Sequence, residues 1–235
     1  MATNDIIRKR KSIRTYDPAT LGDDTLKKVQ AQIEAVNPLD PDIRFSIRIV
    51  SSVRGMSAVK SPHYLIFGSE DKKGAYENIG FIGQQLDLFF SGSGLGSCWQ
   101  GMAKSAERDE SSLPHVIAMA FGTPAEPLHR EISEFKRKPL ASISEGADER
   151  LEAARLAPSA VNAQNWFFAA ADGNIRCYRK KPNPLLGFML NNMGCIDMGI
   201  ALCHIAEESD SFHFIRETDA PARAGHVYMG TVMRN

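Results

Sequence analysis

The stretch Ala157-Pro158-Ser159-Ala160-Val161-Asn162-Ala163-Gln164-Asn165-Trp166, which we call the corner, decides how the rest of the chain is interpreted. A helix with apolar periodicity ends before it at Leu156, and the apolar run Trp166–Ala171 is typical of a buried strand. Pro158 ends the helix because proline lacks an N–H donor and disfavours helical dihedrals in the preceding residue. The corner is either an ordinary polar loop or a set of hydroxyl, amide and backbone N–H groups that face a flat heteroaromatic ligand.

The composition is that of a globular protein without an overall electrostatic preference. The chain has 235 residues, of which 43% are hydrophobic, and 28 Lys and Arg residues balance 28 Asp and Glu residues. Such a chain can bury a sizeable core as one large domain or as two small ones. A net charge of zero excludes a general attraction to nucleic acid or to an anionic membrane, so any anion site must come from local clustering.

Cysteine spacing and the N-terminal sequence indicate the cellular compartment in which the protein is expected. Cys98, Cys177, Cys195 and Cys203 have no CxxC spacing, which argues against a zinc knuckle or a dithiol pair and favours buried free thiols in a reducing cytosol. The N-terminus is polar and basic, so we expect no signal peptide. No apolar run approaches membrane-spanning length. We therefore expect a soluble, cytoplasmic protein.

Basic residues cluster in the first segment of the chain, residues 8–16, which we call the arm. Arg10, Ser12 and Arg14 alternate, so in an extended conformation their side chains point to one side. Two guanidinium groups beside a hydroxyl can clamp a phosphate, because guanidinium binds phosphate in bidentate fashion. The alternative is a solvated basic arm that touches nucleic acid. A second basic cluster occupies the polar connector at 129–138.

Hydrophobic periodicity predicts the main helices and strands. We expect a helix over 26–36 that is capped by Asp23 or Asp24, a strand ended by Gly68, and a hairpin turn at Asp172-Gly173-Asn174. The other predicted elements are strands at 45–49, 63–67, 116–121, 166–171 and 226–230, and helices at 76–90 and 193–205.

A glycine-rich segment, Ser91-Gly92-Ser93-Gly94-Leu95-Gly96-Ser97, follows the helix over 76–90. It lacks the GxGxxG spacing and the preceding strand of a dinucleotide-binding fold, and it lacks the Lys-Ser/Thr of a Walker A loop. Its glycines either let the backbone approach a ligand closely or form a tight turn that caps the helix.

The two halves of the chain repeat one order of elements, namely helix, strand, strand, long helix and strand. Asn78-Ile79-Gly80 opens one long helix, and Asn192-Met193-Gly194 is expected to open the other. We therefore divide the chain into 1–140, which holds the arm, the glycine-rich segment and a basic tail, and 141–235, which holds the corner. If the halves are duplicates, one composite site survives between them and its twin is blank.

With these motifs in hand, the chain resembles the FMN-dependent nitroreductase family. The resemblance is carried by Arg10–Tyr16, Gly94–Trp99, the corner and, more weakly, the basic tail Phe135–Leu140. In ordinary members, which are homodimers, the Pro-Ser corner follows the first helix, whereas here it follows the basic tail. The chain is thus similar to a nitroreductase subfamily in which the dimer is fused into one chain. A second departure is Asn165, where the family commonly has proline.

The resemblance implies an α+β fold (α/β sandwich), an intrachain pseudo-dimer whose halves each have a small, mainly antiparallel sheet and a long core helix. It implies a monomer that binds FMN at one site between the halves. Arg10, Ser12 and Arg14 would contact the phosphate and ribityl chain, with Arg137 a further phosphate ligand. Residues implied near the isoalloxazine or its ligand are Pro158, Ser159, Ala160, Asn162 and Gln164, and the backbone of Gly94, Leu95, Gly96 and Ser97 is implied near the flavin's reactive edge.

The activity implied by the resemblance is hydride transfer from NAD(P)H to flavin N5, followed by reduction of an electron-poor acceptor such as a nitroaromatic or a quinone. No catalytic side chain and no metal are expected. Ser159 has no GxSxG context, HExxH is absent, and His204 lies on an apolar helix face typical of a core histidine. Two alternatives stay open, namely a flavin-binding storage or sensing protein without turnover and a structural protein that has lost flavin.

Overall fold

The apolar runs of the sequence form helices and strands throughout the described chain. A computed structural model describes residues 3–55, 58–107, 113–181 and 187–234, with the backbone alone for 187–191. The helices are α1 Thr3–Ile7, α2 Asp23–Ala35, α3 Ala75–Gly92, α4 Leu151–Leu156 and α5 Gly187–Glu207. The strands are β1 Phe45–Val50, β2 Val53–Arg54, β3 His63–Ser69, β4 Gly96–Gln100, β5 Lys104–Ser105, β6 His115–Gly122, β7 Ser144–Glu145, β8 Trp166–Ala171, β9 Asn174–Lys180, β10 His213–Ile215 and β11 His226–Met233.

Two antiparallel sheets carry most of the strands, and they share one connectivity. The first sheet has the order β1-β3-β6-β4, and the second has the order β10-β11-β9-β8-β7, in which only β7 pairs in parallel. In the first sheet, β1 and β3 pair antiparallel, α3 follows, and β6 lies between β3 and β4. In the second, β8 and β9 form a hairpin, α5 follows, and β11 lies between β9 and β10, while β7 is an additional strand at the edge beside β8. Helices and small sheets combine as expected for an α+β fold.

Two local predictions at element ends are wrong. Gly22, not Asp23 or Asp24, occupies the N-cap of α2, and both aspartates lie in the first turn, where carboxylates favour the helix dipole. Strand β3 continues through Gly68 to Ser69, because Gly68 still pairs across the sheet with Ser46 of β1. The hairpin prediction is confirmed. Asp172 and Gly173 both have positive φ, 52° and 77°, which is the geometry of a two-residue turn between β8 and β9.

Helices α3 and α5 pack against each other at the centre of a core that includes residues of both sheets. Their backbones meet at glycines, since a Cβ at Gly80 would lie 2.1 Å from the carbonyl oxygen of Ile196, and a Cβ at Gly199 would lie 1.9 Å from that of Glu77. The expected common start at Asn78 and Asn192 is wrong, because α5 begins at Gly187.

In the described part of the chain, no helix combines the length and apolarity that a bilayer crossing requires.

The close contact between α3 and α5 predicts that replacing one of these glycines by alanine lowers the free energy of unfolding, although alanine is the better helix former. Gly199→Ala should lower the free energy of unfolding by about 1–3 kcal/mol, because the new methyl group collides with a backbone carbonyl that cannot rotate away. Helix propensity alone would raise it by about 1 kcal/mol. Urea denaturation decides between the two signs. Gly92→Ala, whose Cβ would lie 3.6 Å from Ile6 in ordinary contact, is the control and should not destabilise.

Candidate functional site

The corner joins α4 to β8 through a strained backbone. Helix α4 ends at Leu156, and Ala157 has ψ of 143°, as expected for a residue before proline. Val161, Asn162 and Gln164 then have φ of 47°, 56° and 48°, in the left-handed region. For a β-branched residue such as Val161 this conformation is a genuine outlier, and its side chain is 95% exposed. Surrounding contacts must therefore hold the corner in place.

The two amide side chains of the corner hold it to residues 136–138, which we call the basic segment. Gln164 accepts a hydrogen bond from the backbone N–H of Lys138 (2.7 Å). Asn162 accepts one from Nη1 of Arg137 (2.7 Å) and donates one to the carbonyl of Lys136 (2.7 Å). Both amides are thus engaged within the protein, and Gln164 is buried.

A hydroxyl and a carboxyl complete the support of the corner. Ser159 accepts a hydrogen bond at Oγ from the backbone N–H of Gln164 (3.0 Å). Asp197 of α5 accepts one at Oδ1 from the N–H of Ala160 (2.9 Å). Asp197 is 5% exposed, and burial, partly offset by this hydrogen bond, raises its pKa from an ordinary value near 3.8 to about 7. Asp197 was not among the site residues predicted from the sequence, although a single carboxyl group in an otherwise apolar helix is a signal that could have indicated it.

The arm is anchored by a buried ion pair. Nε of Arg10 lies 2.8 Å from Oδ2 of Asp87 in α3, and both side chains are 1% exposed. Nη2 of Arg10 donates to Oγ of Ser12 (3.3 Å), and Ser97 donates to Oδ1 of Asp87 (2.6 Å). The alternative of a solvated basic arm is therefore wrong at Arg10, whose charge is paired inside the protein. Arg14 is exposed.

The ion pair continues into a buried polar network that reaches α4. Nε2 of Gln84 donates to Asp87 (2.9 Å) and lies 3.1 Å from Nε2 of His204. Nδ1 of His204 lies 2.9 Å from the carbonyl of Ala153. Because a carbonyl only accepts, Nδ1 carries the proton and Nε2 accepts from Gln84. Burial lowers the pKa of His204 to about 3, so the ring is neutral, and its predicted place in the core is confirmed.

The arm, the connector, the basic segment and the corner surround a cleft of about 650 Å³, which we call the basic cleft. The structure thus brings seven of the predicted site residues together. Its lining residues are Arg10, Lys11, Ser12, Arg14, Glu126, Pro127, His129, Arg130, Glu134, Lys136, Arg137, Pro158, Ser159, Val161 and Asn162.

Positive charge in the basic cleft exceeds the negative charge available to it. Lys11 pairs with Glu126 (3.0 Å). In contrast, no carboxylate oxygen of the described residues lies within 4.0 Å of the guanidinium groups of Arg14, Arg130 and Arg137. Burial, and then the charges of neighbouring arginines, lower the pKa of Arg137 to about 9 and that of Arg130 to about 10. The cleft is therefore suited to an anion that relieves this repulsion.

The glycine-rich segment does not line the basic cleft. Gly94, with φ of 82°, ends α3 as a left-handed cap, and the N–H of Leu95 donates to the carbonyl of Phe90 (2.9 Å). Leu95 is buried in the core, Gly96 packs against Ile13 of the arm, and Ser97 binds Asp87. The segment thus lies beneath the arm and supports it.

A smaller cavity of about 260 Å³, which we call the side cavity, lies beyond Val161, the residue that lines both spaces. Of the predicted site residues, it contains Ala160. The described residues that line it are Ala160, Val161, Ala163, Asn165, Arg179, Lys180, Lys181, Met193, Gly194 and Asp197. Within the described residues, no group of three or more His, Cys, Asp or Glu side chains could hold a metal ion.

The fold and the site define an α+β protein with a cleft suited to an anionic ligand. A family model described as "Putative TM nitroreductase" matches residues 3–209. The chain belongs to that family, and this membership supports an oxidoreductase. The family resemblance seen in the sequence is confirmed at this level.

One solved structure supports the fold over nearly the whole chain, and two others are similar to part of it. A protein described as a "putative nitroreductase (tm1586)" from Thermotoga maritima MSB8 has a TM-score of 0.68 and 21% identity, over 99% of this chain and 93% of that chain. A nitroreductase family protein from Clostridium difficile 630 has a TM-score of 0.49 and 15% identity, over 61% and 96%. An "FMN-dependent Nitroreductase" from Clostridium difficile R20291 has a TM-score of 0.43 and 16% identity, over 58% and 98%. The search of the curated proteins found no match.

The buried ion pair predicts that the two arginines of the arm differ in their effect on stability. Arg10→Ala should lower the free energy of unfolding by about 3–5 kcal/mol, because it leaves Asp87 charged and unpaired in the core. Arg14→Ala, at an exposed position, should change it by no more than about 0.5 kcal/mol. Urea denaturation at pH 7 measures both, and equal effects would contradict the geometry.

The raised pKa of Asp197 predicts that the stability of the protein depends on pH, and that replacing this carboxyl group by an amide removes its contribution. Between pH 4 and 7 the folded carboxyl keeps its proton while the unfolded one has lost it, so the free energy of unfolding falls as pH rises and levels off above pH 7. Asp197→Asn keeps the acceptor for Ala160. It should be about 1–3 kcal/mol more stable than the parent at pH 8 and nearly equal to it at pH 4. Asp172→Asn, the same change at the exposed hairpin turn, is the control, and this variant should still lose stability between pH 4 and 7 because it keeps Asp197.

Proposed function

We propose that this protein is an FMN-dependent oxidoreductase that uses NAD(P)H to reduce an electron-poor acceptor such as a nitroaromatic or a quinone. One observation carries the proposal. The basic cleft brings the arm, the basic segment and the corner together, although they are far apart in the sequence. The arm and the corner are two of the main motifs through which the chain resembles FMN-dependent nitroreductases, and the basic segment belongs to the weaker one, the basic tail. The glycine-rich motif lies beneath the arm, outside the cleft. Family membership supports the redox class.

The residues of the cleft fit a mononucleotide phosphate. Arg14, Arg130 and Arg137 supply guanidinium groups without a carboxylate partner, and Ser12 and Ser159 supply hydroxyls. A volume of about 650 Å³ lies within the range of small-molecule sites. In this proposal Arg10 acts indirectly, because its charge is paired with Asp87 and it orients Ser12.

In this proposal the remaining residues bind and orient FMN and its co-substrate. When bound, FMN supplies the two-electron chemistry, so no side-chain nucleophile is needed. Pro158 and Ser159 form one wall of the cleft, and Val161 separates it from the side cavity, where a co-substrate can approach. Asn162 and Gln164, which the resemblance places at the flavin, would act by holding the corner against the basic segment.

We also propose that the chain is a fused pseudo-dimer with one cofactor site and that it works as a monomer. Support comes from the shared strand order and from two matching contacts. Asn78 of α3 accepts from the N–H of Leu39 (2.8 Å), just after Pro38, as Asp197 accepts from that of Ala160, just after Pro158. The boundary near residue 140, the monomeric state and a cytoplasmic location stay predictions.

The second corner, after Pro38, is occupied by the protein's own side chains. Nη1 of Arg216 lies 3.6 Å from Oδ2 of Asp40. The same guanidinium fills the space beside Gly74, where a Cβ would lie 2.5 Å from Nη2. This filling supports a single cofactor per chain.

The phosphate contact predicts different responses to FMN and to riboflavin, which lacks the phosphate. Arg14→Gln should raise the Kd for FMN about tenfold, because one charge-assisted hydrogen bond is lost, and should leave that for riboflavin unchanged. Flavin fluorescence titration measures both constants, and its end point should be one FMN per chain. Lys27→Gln, exposed on α2, is the charge-matched control.

NAD(P)H oxidation by the FMN-loaded protein with a nitroaromatic acceptor then tests turnover. Tight FMN binding without turnover would favour a storage or sensing protein. Absence of flavin binding would overturn the proposal.

A further inference from the structure

The side cavity has two chemically different walls. Ala160, Val161, Ala163 and Met193 form an apolar wall. The three consecutive cations 179–181, at the end of β9, form the other wall. The chain as a whole has no net charge. Three cations at one cavity therefore reflect local clustering and not an excess of basic residues in the protein.

Arg179 is built into this wall. Its side chain is 5% exposed, and a Cβ at Gly194 would lie 2.8 Å from Cδ of Arg179. The arginine stem therefore lies against α5 at a position where only glycine leaves room. Its Nη1 donates to the carbonyl of Lys180 (3.4 Å), which holds the guanidinium at the cavity.

The two lysines add charge that the described chain does not neutralise. Within the described residues, neither Lys180 nor Lys181 has a carboxylate oxygen within 4.0 Å. Their backbone is fixed, since the N–H of Lys180 donates to Asn165 (2.8 Å) and that of Lys181 donates to Gly225 (2.9 Å). Among the described lining residues, Asp197 alone carries a carboxyl group, and it accepts a hydrogen bond from the corner.

We propose that the side cavity binds an aromatic co-substrate that carries an anionic group, such as a carboxylate. The apolar wall would hold the ring, and residues 179–181 would hold the anion. A volume of about 260 Å³ suits a single substituted ring, since an engineered cavity of about 150 Å³ binds benzene. This inference rests on the proposed function and names the acceptor class of that site.

The test compares 4-nitrobenzoate with 4-nitrobenzamide, its neutral isostere, on the FMN-loaded protein. Isothermal titration calorimetry without NAD(P)H gives the two Kd values, and steady-state kinetics gives the two KM values. We expect 4-nitrobenzoate to bind about tenfold more tightly at low salt, the gain of one charge-assisted contact. In the double variant Lys180→Gln/Lys181→Gln this preference should fall towards one.

Two further variants test whether the preference for 4-nitrobenzoate comes from the cations at the cavity and not from the overall charge of the protein. Lys27→Gln/Lys28→Gln, on the surface of α2, removes the same charge elsewhere and should keep the preference. Gly194→Ala should reduce it by displacing Arg179.

The possible failures are distinguishable. Equal binding of the two probes, with flavin binding and turnover intact, would overturn this inference and leave the proposed function standing. A preference for 4-nitrobenzoate without turnover would support the anionic subsite and count against the reductase. If no flavin binds, calorimetry on the protein alone and on its Lys180→Gln/Lys181→Gln variant still decides the subsite, because a preference that arises in the basic cleft would survive the substitution.

Discussion

The buried ion pair between Arg10 and Asp87 is the interaction on which the site depends. Two opposite charges at 1% exposure are stable only because each has further partners. Asp87 accepts from Ser97 and Gln84, and Gln84 passes the connection to His204. Since His204 bonds to α4, which leads directly into the corner, one buried network positions both the arm and the corner. The two cleft walls are thus tied to each other through the interior.

A related constraint is the close approach of α3 and α5. Gly80 and Gly199 let the two helix backbones touch, which places Gln84 of one helix within hydrogen-bond distance of His204 of the other. Side chains at these positions would separate the helices and leave the buried polar groups unpaired, at a cost of about 1–3 kcal/mol for each such group. Packing and polar satisfaction therefore depend on the same few residues.

The arrangement of charge explains how a neutral chain offers anion sites. Positive side chains gather on both sides of the corner, in the basic cleft and in the side cavity, with Val161 between them. Val161 keeps a left-handed conformation that a β-branched residue avoids, and Ser159, Asn162 and Gln164 hold the backbone around it. Strain at this point is maintained by hydrogen bonds to residues far along the chain, which is typical of a functional site.

Local sequence patterns predicted the main helices and strands and singled out the arm and the corner as candidate site motifs. Periodicity located both long helices and the strands β1, β3, β6, β8 and β11, but not β4 or β10. Pro158 marked the end of α4, and the arm and corner motifs indicated the family. These features follow from interactions among neighbouring residues. Tertiary structure alone decided that Arg10 points into the core, that the glycine-rich segment supports the arm instead of lining the cleft, and that Asp197 and residues 179–181 face a second cavity. Burial and charge pairing depend on partners tens to hundreds of residues away, which no local pattern encodes.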